Sequence, residues 1–406
     1  MVSPVKRLSL LAVALACAAL ARDPRLDALR LTLTSMRGKP PDATAPRGAT
    51  PQLTIVKHEL RDWMESRLAT LPERGDVGEL ERRLNSELLE AGLFCDEAKG
   101  PPCGDFASLG SLLGYLGDLK LQRSGVFLIA QTAVGIQCGF DESAYVYGWS
   151  GERWRRVWQT EQDTYTEKAY RPQTIQSVLI SPYNKANDYL LLTLGFMPWC
   201  SSAWRDVYYR VFRLGPDPMA PPLIDGDEGA YIAADPPIRG SVTTNDVLVQ
   251  FSLGSIDTDA LVRTAVRHYK IEHDEVKRVD PLALRPRDFV DEWLTHPWKE
   301  SVFWSESANR RSMLDSYKKL HKDHVYGNFI YPTMHCAEPD LWQVGVDFSD
   351  PPTPIGEPPK GTYFLVRWQP PYHFRMVQIS DHASPECTEE DRAADDEDRT
   401  LFPGQE

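Results

Sequence analysis

The sequence predicts a mainly β protein with helical additions, and three observations carry this prediction. Between residues 110 and 284, short runs of Val, Ile, Leu, Tyr and Trp are separated by turn residues, which is the pattern of strands. Three of these runs resemble one another and recur every 59 to 60 residues. Before and after this region, apolar residues recur at helical spacing instead. The chain of 406 residues is 42% hydrophobic, which is enough for a substantial core.

The recurring unit is marked by a glycine that ends an apolar run. Gly135, Gly195 and Gly254 each follow such a run. After each glycine come a polar stretch, a second strand and a turn, so that a unit contains roughly four strands. A small sheet that cannot cover its own faces stacks on its neighbours. The spacing therefore predicts an array of β units over 110–284, with the β segment 326–385 as a degenerate fourth unit.

One hairpin resembles part of a known fold family. The segment 147–154, Tyr-Gly-Trp-Ser-Gly-Glu-Arg-Trp, places a Gly-containing turn between aromatic strands and looks like the outer hairpin of a β-propeller blade. The resemblance to secreted β-propeller-like repeat proteins implies a propeller-like array of four-stranded units. A β-sandwich elaborated by hairpins is the alternative, because the units are longer than the ~40 to 50 residues of a usual blade.

Helical spacing predicts two additions to the β region. Apolar stripes that begin at Leu53 and at Val77 predict a helical hairpin over 53–94, whose second helix starts at the capping pair Asp76 and Glu79. A helical insertion is predicted over 285–325. Prolines within 38–52 predict a flexible linker over 22–52, and the acid-rich segment 386–406 predicts a solvated tail.

The first 21 residues predict export. Lys6 and Arg7 precede an apolar run over 8–20 that ends in small residues, the pattern of a secretory signal peptide. A lipoprotein anchored through Cys17 is the alternative. The sequence predicts no membrane span, since a helix needs about 20 apolar residues to cross a bilayer. A net charge of −13 argues against a nucleic-acid partner, because nucleic-acid binders concentrate Lys and Arg.

Six cysteines follow the signal peptide and predict three disulfides in an oxidising compartment. About fifteen connectivities are formally possible for six cysteines. Proximity selects two of the predicted pairs and the repeat selects the third: Cys95 with Cys103, Cys336 with Cys387, and Cys138 with Cys200. The cysteine spacing predicts no metal cluster, since it contains no Cys-x-x-Cys.

Candidate ligand-binding residues follow the three repeat glycines. If equivalent loops meet on one face, their acidic and aromatic side chains line the same opening. These residues are Asp141, Glu142, Trp199, Trp204, Asp206, Asp257 and Asp259. Grouped carboxylates bind a hard cation such as Ca²⁺ or act as acid and base on a glycosidic bond. Loop tryptophans are candidates for stacking on sugar rings. Solvated loop tips and packed aromatics explain the same residues.

Two further motifs are weaker. The segment 225–229, Asp-Gly-Asp-Glu-Gly, has the alternating carboxylates of a calcium loop but lacks its distal Glu, and we interpret it as an acidic turn. His321, His324 and His335 are a possible zinc set, but neighbouring lysines favour an exposed charged surface.

The sequence predicts no particular reaction. It contains no Gly-x-Ser-x-Gly, His-Glu-x-x-His or phosphate-loop motif. The prediction is therefore an exported binding or interaction module with a loop-lined face and a glycan or an envelope protein as its partner. The alternatives are an extracellular glycoside hydrolase that uses loop carboxylates and a structural envelope protein.

Overall fold

The computed structural model describes most of the protein in two compact units. The described residues are 23–37, 51–94, 114–136, 139–161, 172–183, 189–198, 204–215, 217, 220–231, 238–273, 275–323, 329–348, 361–396 and 398–402. The first unit runs to Ile175 and includes 197–201 and 214–219, and the second unit contains the remainder. The predicted signal peptide with Cys17 lies outside the described residues, as do Cys95, Cys103, Cys138 and Cys200.

The first unit combines three helices with a four-stranded sheet. Its elements are α1 (Pro24–Arg37), α2 (Pro51–Leu68), α3 (Val77–Glu90), β1 (Lys120–Ser124), β2 (Phe127–Ile136), β3 (Gly139–Trp149) and β4 (Trp154–Thr160). The strands pair in chain order and are antiparallel. Leu84 and Leu88 of α3 share one buried core with Leu128 and Val134 of β2. The structure thus confirms the helical hairpin.

The helix α3 begins where the sequence predicts. Asp76 caps its first turn by accepting a hydrogen bond of 2.9 Å from the backbone N–H of Glu79. Gly92 follows its end at φ 72°, a left-handed conformation that a side chain disfavours.

The helix α1 corrects the linker predicted over 22–52. Its buried face recurs at helical spacing and consists of Leu26, Leu29, Leu33 and Met36. These side chains pack into the core of the first unit, so burial of an amphipathic stripe holds this segment in place. The proline-rich part of the predicted linker, 38–50, lies outside the described residues.

An eight-stranded antiparallel sheet forms the first part of the second unit. Its strands are β5 (Thr174–Ile180), β6 (Tyr189–Phe196), β7 (Trp204–Leu214), β8 (Ile224–Tyr231), β9 (Ile238–Val242), β10 (Asp246–Gly254), β11 (Val262–Glu272) and β12 (Glu275–Arg278). It consists of two four-stranded meanders, β5–β8 and β9–β12, which join where β8 pairs with β10. Gly135, Gly195 and Gly254 each lie at the end of the second strand of a meander, which confirms the four-stranded repeat.

Helices and a third sheet complete the second unit. The predicted insertion contains α4 (Pro286–Thr295), α5 (Trp298–Ser301) and α6 (Arg310–Asp323). The sheet has β13 (Phe329–Ile330), β14 (Met334–Cys336), β15 (Leu341–Asp347), β16 (Gly361–Gln369), β17 (His373–Ser380) and β18 (Cys387–Glu390). Phe289 of α4 stacks on Phe374 of β17 with ring centroids 5.4 Å apart. The mainly β class with helical additions is therefore confirmed.

The acid-rich segment predicted as a solvated tail is packed over its described part. Cys387 forms a disulfide with Cys336, one of the three predicted pairs. The Asp391 carboxylate accepts a hydrogen bond of 2.9 Å from Trp342 Nε1. Asp395 accepts the backbone N–H and the hydroxyl of a buried threonine, Thr333. The acids of this segment satisfy donors of the sheet, a role that composition does not reveal.

Candidate functional site

Asp141 and Glu142, predicted for a ligand-binding loop, lie inside β3 of the first unit. Lys57 of α2 places Nζ 2.8 Å from Asp141 Oδ2, and both side chains are at most 1% exposed. This pair neutralises two charges within the core, so Asp141 does not meet solvent. Glu142 accepts the backbone N–H of Ile175 at 2.7 Å. Burial raises the pKa of Glu142 to about 7, although this hydrogen bond opposes the rise.

The predicted acids of the second unit have different surroundings. Asp257 is buried, pairs with Arg287 and accepts the backbone N–H of Asp259 at 3.1 Å. Asp259 itself is exposed, between β10 and β11. Asp206 lies inside β7, opposite Gly229 of β8. Asp257 and Asp259 are therefore brought together, while Asp206 is a strand residue and not part of a loop.

Trp204 is the predicted aromatic residue that the structure describes, since Trp199 lies outside the described residues. It begins β7, is 41% exposed, and its ring centroid lies 5.3 Å from that of Tyr231. Tyr209 lies an odd number of positions after Trp204 on the same strand and belongs to the buried core of the sheet. Because side chains alternate across a strand, Trp204 and Tyr209 point to opposite faces.

The two weaker motifs have structural roles. The segment 225–229 is part of β8 and not an acidic turn, and a Cβ at Gly226 would lie 2.1 Å from the ring of Tyr209. His321 places Nδ1 2.9 Å from the carbonyl oxygen of Tyr317 and Nε2 2.7 Å from that of Leu294, so it links α6 to α4. His324 lies outside the described residues.

A cleft of about 590 Å³ in the second unit is the candidate site that the sequence analysis missed. Charged and aromatic side chains of β8, β11 and β12 line it, together with the residue that follows α4. We call it the arginine cleft and define it by Glu228, Arg263, Arg267, Tyr269, Arg278 and His296. Its volume lies within the ~300–1,000 Å³ of typical small-molecule sites.

Arg267 joins two carboxylates in the arginine cleft. Its Nε lies 2.7 Å from Glu228 Oε1, and its Nη2 donates to Glu228 Oε2, which makes a bidentate pair. Its Nη1 lies 2.8 Å from Oε1 of Glu292, a fully buried residue of α4. The three charges hold one another in place, so Arg267 and Glu228 are fixed before any ligand arrives.

Two more arginines share the buried carboxylates of α4. Arg263 Nε lies 2.9 Å from Asp291 Oδ1, and Arg263 Nη1 lies 2.7 Å from Glu292 Oε2. Both contacts are ion pairs whose angles fall outside those of a hydrogen bond. Arg278 donates through Nη2 to Glu292 Oε1. Burying a charge is favourable only with such partners, so removing one member weakens the compensation of the charges that remain.

The hydrogen bonds of His296 determine its tautomer. Arg278 Nη1 lies 3.0 Å from His296 Nε2, and an arginine can only donate, so Nε2 is the acceptor. His296 Nδ1 lies 2.9 Å from the carbonyl oxygen of Glu292 and therefore carries the proton. Burial lowers the pKa of His296, which agrees with a neutral ring.

Glu228 and Glu292 are ionised carboxylates. Burial alone raises the pKa of Glu228, but the charge and hydrogen bonds of Arg267 outweigh it and lower this pKa below its usual value. For Glu292, Arg267, Arg263 and Arg278 overcome burial and bring the pKa well below its usual range. Neither group is a proton donor at neutral pH.

The cleft is nearly balanced in charge. Three guanidinium groups are paired with the carboxylates of Glu228, Asp291 and Glu292. Glu300 and the ring of Tyr269 add a further acceptor and an aromatic face. The arrangement offers fixed donors and acceptors but no surplus of positive charge.

The signal for this site is present in the sequence but is indirect. Arg263, Arg267 and Tyr269 lie on the same face of β11 as the buried Ala265. Asp288, Asp291 and Glu292 recur at helical spacing within α4, between fully buried apolar residues. Acids embedded in a buried helix require cationic partners, but a sequence does not reveal which strand supplies them.

The described residues contain neither a grouped set of metal ligands nor a membrane-spanning helix. In that part of the protein, no group of three or more His, Cys, Asp or Glu side chains is arranged to hold a metal ion. No helix there is both long and apolar enough to cross a membrane.

Comparisons with known proteins give only remote similarities. No family model and no curated protein matches this sequence. The BT0996 RGII complex is 8% identical with a TM-score of 0.22, over 64% of this protein and 72% of the matched polypeptide. A putative exo-β-1,3-galactanase from Bifidobacterium bifidum is 11% identical with a TM-score of 0.19, over 67% and 70%.

A third similarity is to the α-L-arabinofuranosidase Arb93A from Fusarium graminearum in complex with an iminosugar inhibitor. It is 13% identical with a TM-score of 0.21, over 62% of this protein and 58% of that enzyme. TM-scores this low do not establish a shared fold.

Proposed function

We propose that the protein is an exported binding protein that takes a neutral, hydroxyl-rich ligand, a glycan, in the arginine cleft. The observation that carries the proposal is the charge balance of the cleft, in which the guanidinium groups are already paired with carboxylates. An anionic ligand would lose its hydration without meeting an unmatched cation. A neutral ligand avoids that cost.

Hydroxyl groups suit the remaining hydrogen-bonding capacity of the cleft. A hydroxyl both donates and accepts, so it can use an N–H of Arg278 and an oxygen of Glu228 together. The Glu228 side chain is 23% exposed and so can be reached from solvent. The ring of Tyr269 offers an apolar face beside these polar groups. Sugars combine hydroxyls and apolar ring faces in the same way.

Export rests on two independent features. The apolar run over 8–20 behind Lys6 and Arg7 is typical of a signal peptide. The disulfide between Cys336 and Cys387 fits an oxidising compartment, where such bonds form and persist.

The electrostatics of the cleft favour binding over glycoside hydrolysis. A glycosidase needs one carboxylic acid with a raised pKa to protonate the leaving group, beside a second carboxylate. Glu228 and Glu292 both have lowered pKa values because Arg267 lies between them. Burial raises the pKa of Asp291, but this side chain is 1% exposed and does not line the cleft. We therefore expect the ligand to be held and not cleaved. A purely structural envelope protein would bind no oligosaccharide.

The test is calorimetry of the full-length protein with neutral and acidic oligosaccharides. The probes are cellotetraose, xylotetraose, laminaritetraose and tetragalacturonic acid. Binding of a neutral probe, weakened about tenfold by Glu300→Gln or Arg278→Met, supports the proposal. The matched control is Arg210→Met, since Arg210 pairs with Asp225 elsewhere on the sheet. Equal weakening by the control, preference for the acidic probe, or release of reducing sugar would contradict it.

A further inference from the structure

Two tyrosine hydroxyls and a carboxylate form a series of hydrogen bonds in the arginine cleft. Tyr209 of β7 donates to Glu228 Oε1 at 2.8 Å. The hydroxyl oxygens of Tyr209 and Tyr269 lie 3.2 Å apart, which leaves the direction of this second bond to be deduced. Tyr209 and Tyr269 come from different strands, β7 and β11, and meet only in the folded protein.

Counting protons fixes that direction. Glu228 is paired through both oxygens with Arg267, so it is ionised and can only accept. Tyr209 has a single hydroxyl proton and uses it toward Glu228. In the contact between the two tyrosines, Tyr269 must therefore be the donor. The oxygen of Tyr269 then has lone pairs left and no proton for any other partner.

Packing holds Tyr209 in the position that this hydrogen-bond series requires. Its ring lies across Gly226, where a Cβ would come within 2.1 Å of ring carbons. The ring also faces Phe251 at a centroid distance of 6.0 Å. Burial, together with Glu228 and Tyr269, raises the pKa of Tyr209, so its hydroxyl keeps the proton over the whole physiological range.

We propose that Tyr269 determines the specificity of the arginine cleft by presenting an oxygen that accepts and does not donate, so that the ligand group beside it is a free hydroxyl. An ether or carbonyl oxygen at this position would face the lone pairs of Tyr269 with no proton between them. Tyr209 acts through Tyr269 as a positioning residue. The inference rests on the proposed function, because it assumes that the cleft takes a hydroxyl-rich ligand.

The first experiment needs no ligand. Neutron diffraction from crystals of the full-length protein in heavy water locates the Tyr269 hydroxyl deuteron, which we expect to point at the Tyr209 oxygen. A deuteron that points into the cleft overturns the inference. In Tyr209→Phe crystals the deuteron should turn away from residue 209. An unchanged position would also contradict the proposed hydrogen bond from Tyr269 to Tyr209.

The second experiment uses two small oxygen-containing probes, one with hydrogen-bond donors and one without. Crystals are soaked in glycerol, which donates and accepts, or in 1,2-dimethoxyethane, which only accepts. We expect glycerol beside Tyr269 in the wild type and 1,2-dimethoxyethane there only in Tyr209→Phe, where Tyr269 is released to donate. Binding of 1,2-dimethoxyethane at Tyr269 in the wild type would overturn the inference.

Calorimetry separates this inference from the proposed function. Tyr269→Phe should weaken a neutral tetrasaccharide about three- to tenfold. Tyr183→Phe, a change at a tyrosine that is 57% exposed, should leave binding unchanged. If no tetrasaccharide binds while the deuteron points at Tyr209, the proposed function is wrong, but the hydrogen bond from Tyr269 to Tyr209 is confirmed. If tetrasaccharides bind and the deuteron points elsewhere, only the specificity assignment fails.

Discussion

Arg267 and Glu228 form a bidentate ion pair across two strands of the eight-stranded sheet, with Arg267 Nε 2.7 Å from Glu228 Oε1 and Nη2 donating to Oε2. Arg267 is 4% exposed and Glu228 23%, so the pair joins the interior to the cleft surface. On the buried side of the pair, Arg267 also contacts Glu292. On the exposed side, Glu228 lines the cleft in which a ligand would bind. Stability and binding therefore depend on the same guanidinium group.

Replacing Arg267 by methionine should destabilise the second unit strongly. The change removes the bidentate partner of Glu228 and leaves the buried Glu292 with two of its three arginines. Breaking a buried pair costs about 3–5 kcal/mol. Urea unfolding of the full-length protein, followed by tryptophan fluorescence, measures the loss. Arg210→Met removes a more exposed pair with Asp225 and should cost less than about 1 kcal/mol. Similar losses for both variants would contradict this account.

Two glycines of β8 should respond differently to alanine. Gly226→Ala places a Cβ 2.1 Å from the Tyr209 ring, which has to move, whereas at Gly229 no atom lies within 4 Å of the added Cβ. We expect Gly226→Ala to lower the free energy of unfolding by about 1–3 kcal/mol. Gly229→Ala should change it by less than about 0.5 kcal/mol. Thermal denaturation of both variants checks this, and a reversed order would show that Tyr209 is not held by Gly226.

Glu142 should make the first unit more stable as the solution becomes mildly acidic. Its pKa rises on folding from 4.5 to about 7, so the folded state binds the proton more tightly. The folded state is therefore favoured as the pH falls from about 8 to about 5, by up to about 3 kcal/mol, and the gain is lost again as the pH rises through about 7.

The measurement compares unfolding free energies of the wild type and Glu142→Gln across this pH range. The glutamine keeps an acceptor for the N–H of Ile175 but does not titrate, so the difference between the two proteins should vary with pH. Glu152→Gln, in the exposed turn after β3, is the control and should parallel the wild type. Parallel curves for Glu142→Gln as well would rule out the raised pKa.

Removing the disulfide between Cys336 and Cys387 should loosen the packed acidic segment. The bond closes a loop with a sequence separation of 51 residues, and a loop of that size corresponds to about 4 kcal/mol of chain entropy. The double variant Cys336→Ala/Cys387→Ala should unfold at lower urea concentration than the wild type, both without reductant. We also expect proteolysis after residue 386 to become faster. Identical unfolding midpoints would show that the hydrogen bonds of Asp391 and Asp395 suffice.

Sequence reasoning worked best where the signals were local and periodic. The helical hairpin, the Asp76 cap and the glycine-marked repeat all depend on residues a few positions apart, and the structure has each of them. It failed at Asp141, because the strand β3 begins earlier than the composition suggested and Lys57 lies 84 residues away. The packed part of the acidic segment was missed for the same reason, since the donors for Asp391 and Asp395 are distant in the sequence.

The amino-acid sequence by itself determined the mainly β class, the repeat and the Cys336–Cys387 pair, because strand alternation, turn residues and cysteine spacing are properties of short stretches of polypeptide. Only the tertiary structure decided which charges are paired and where a ligand can enter. Arg267, Glu228 and Glu292 belong to three different elements, and a buried charge becomes favourable only when folding brings its partners within hydrogen-bonding distance. That requirement is spatial, so the arginine cleft became visible only in the folded protein.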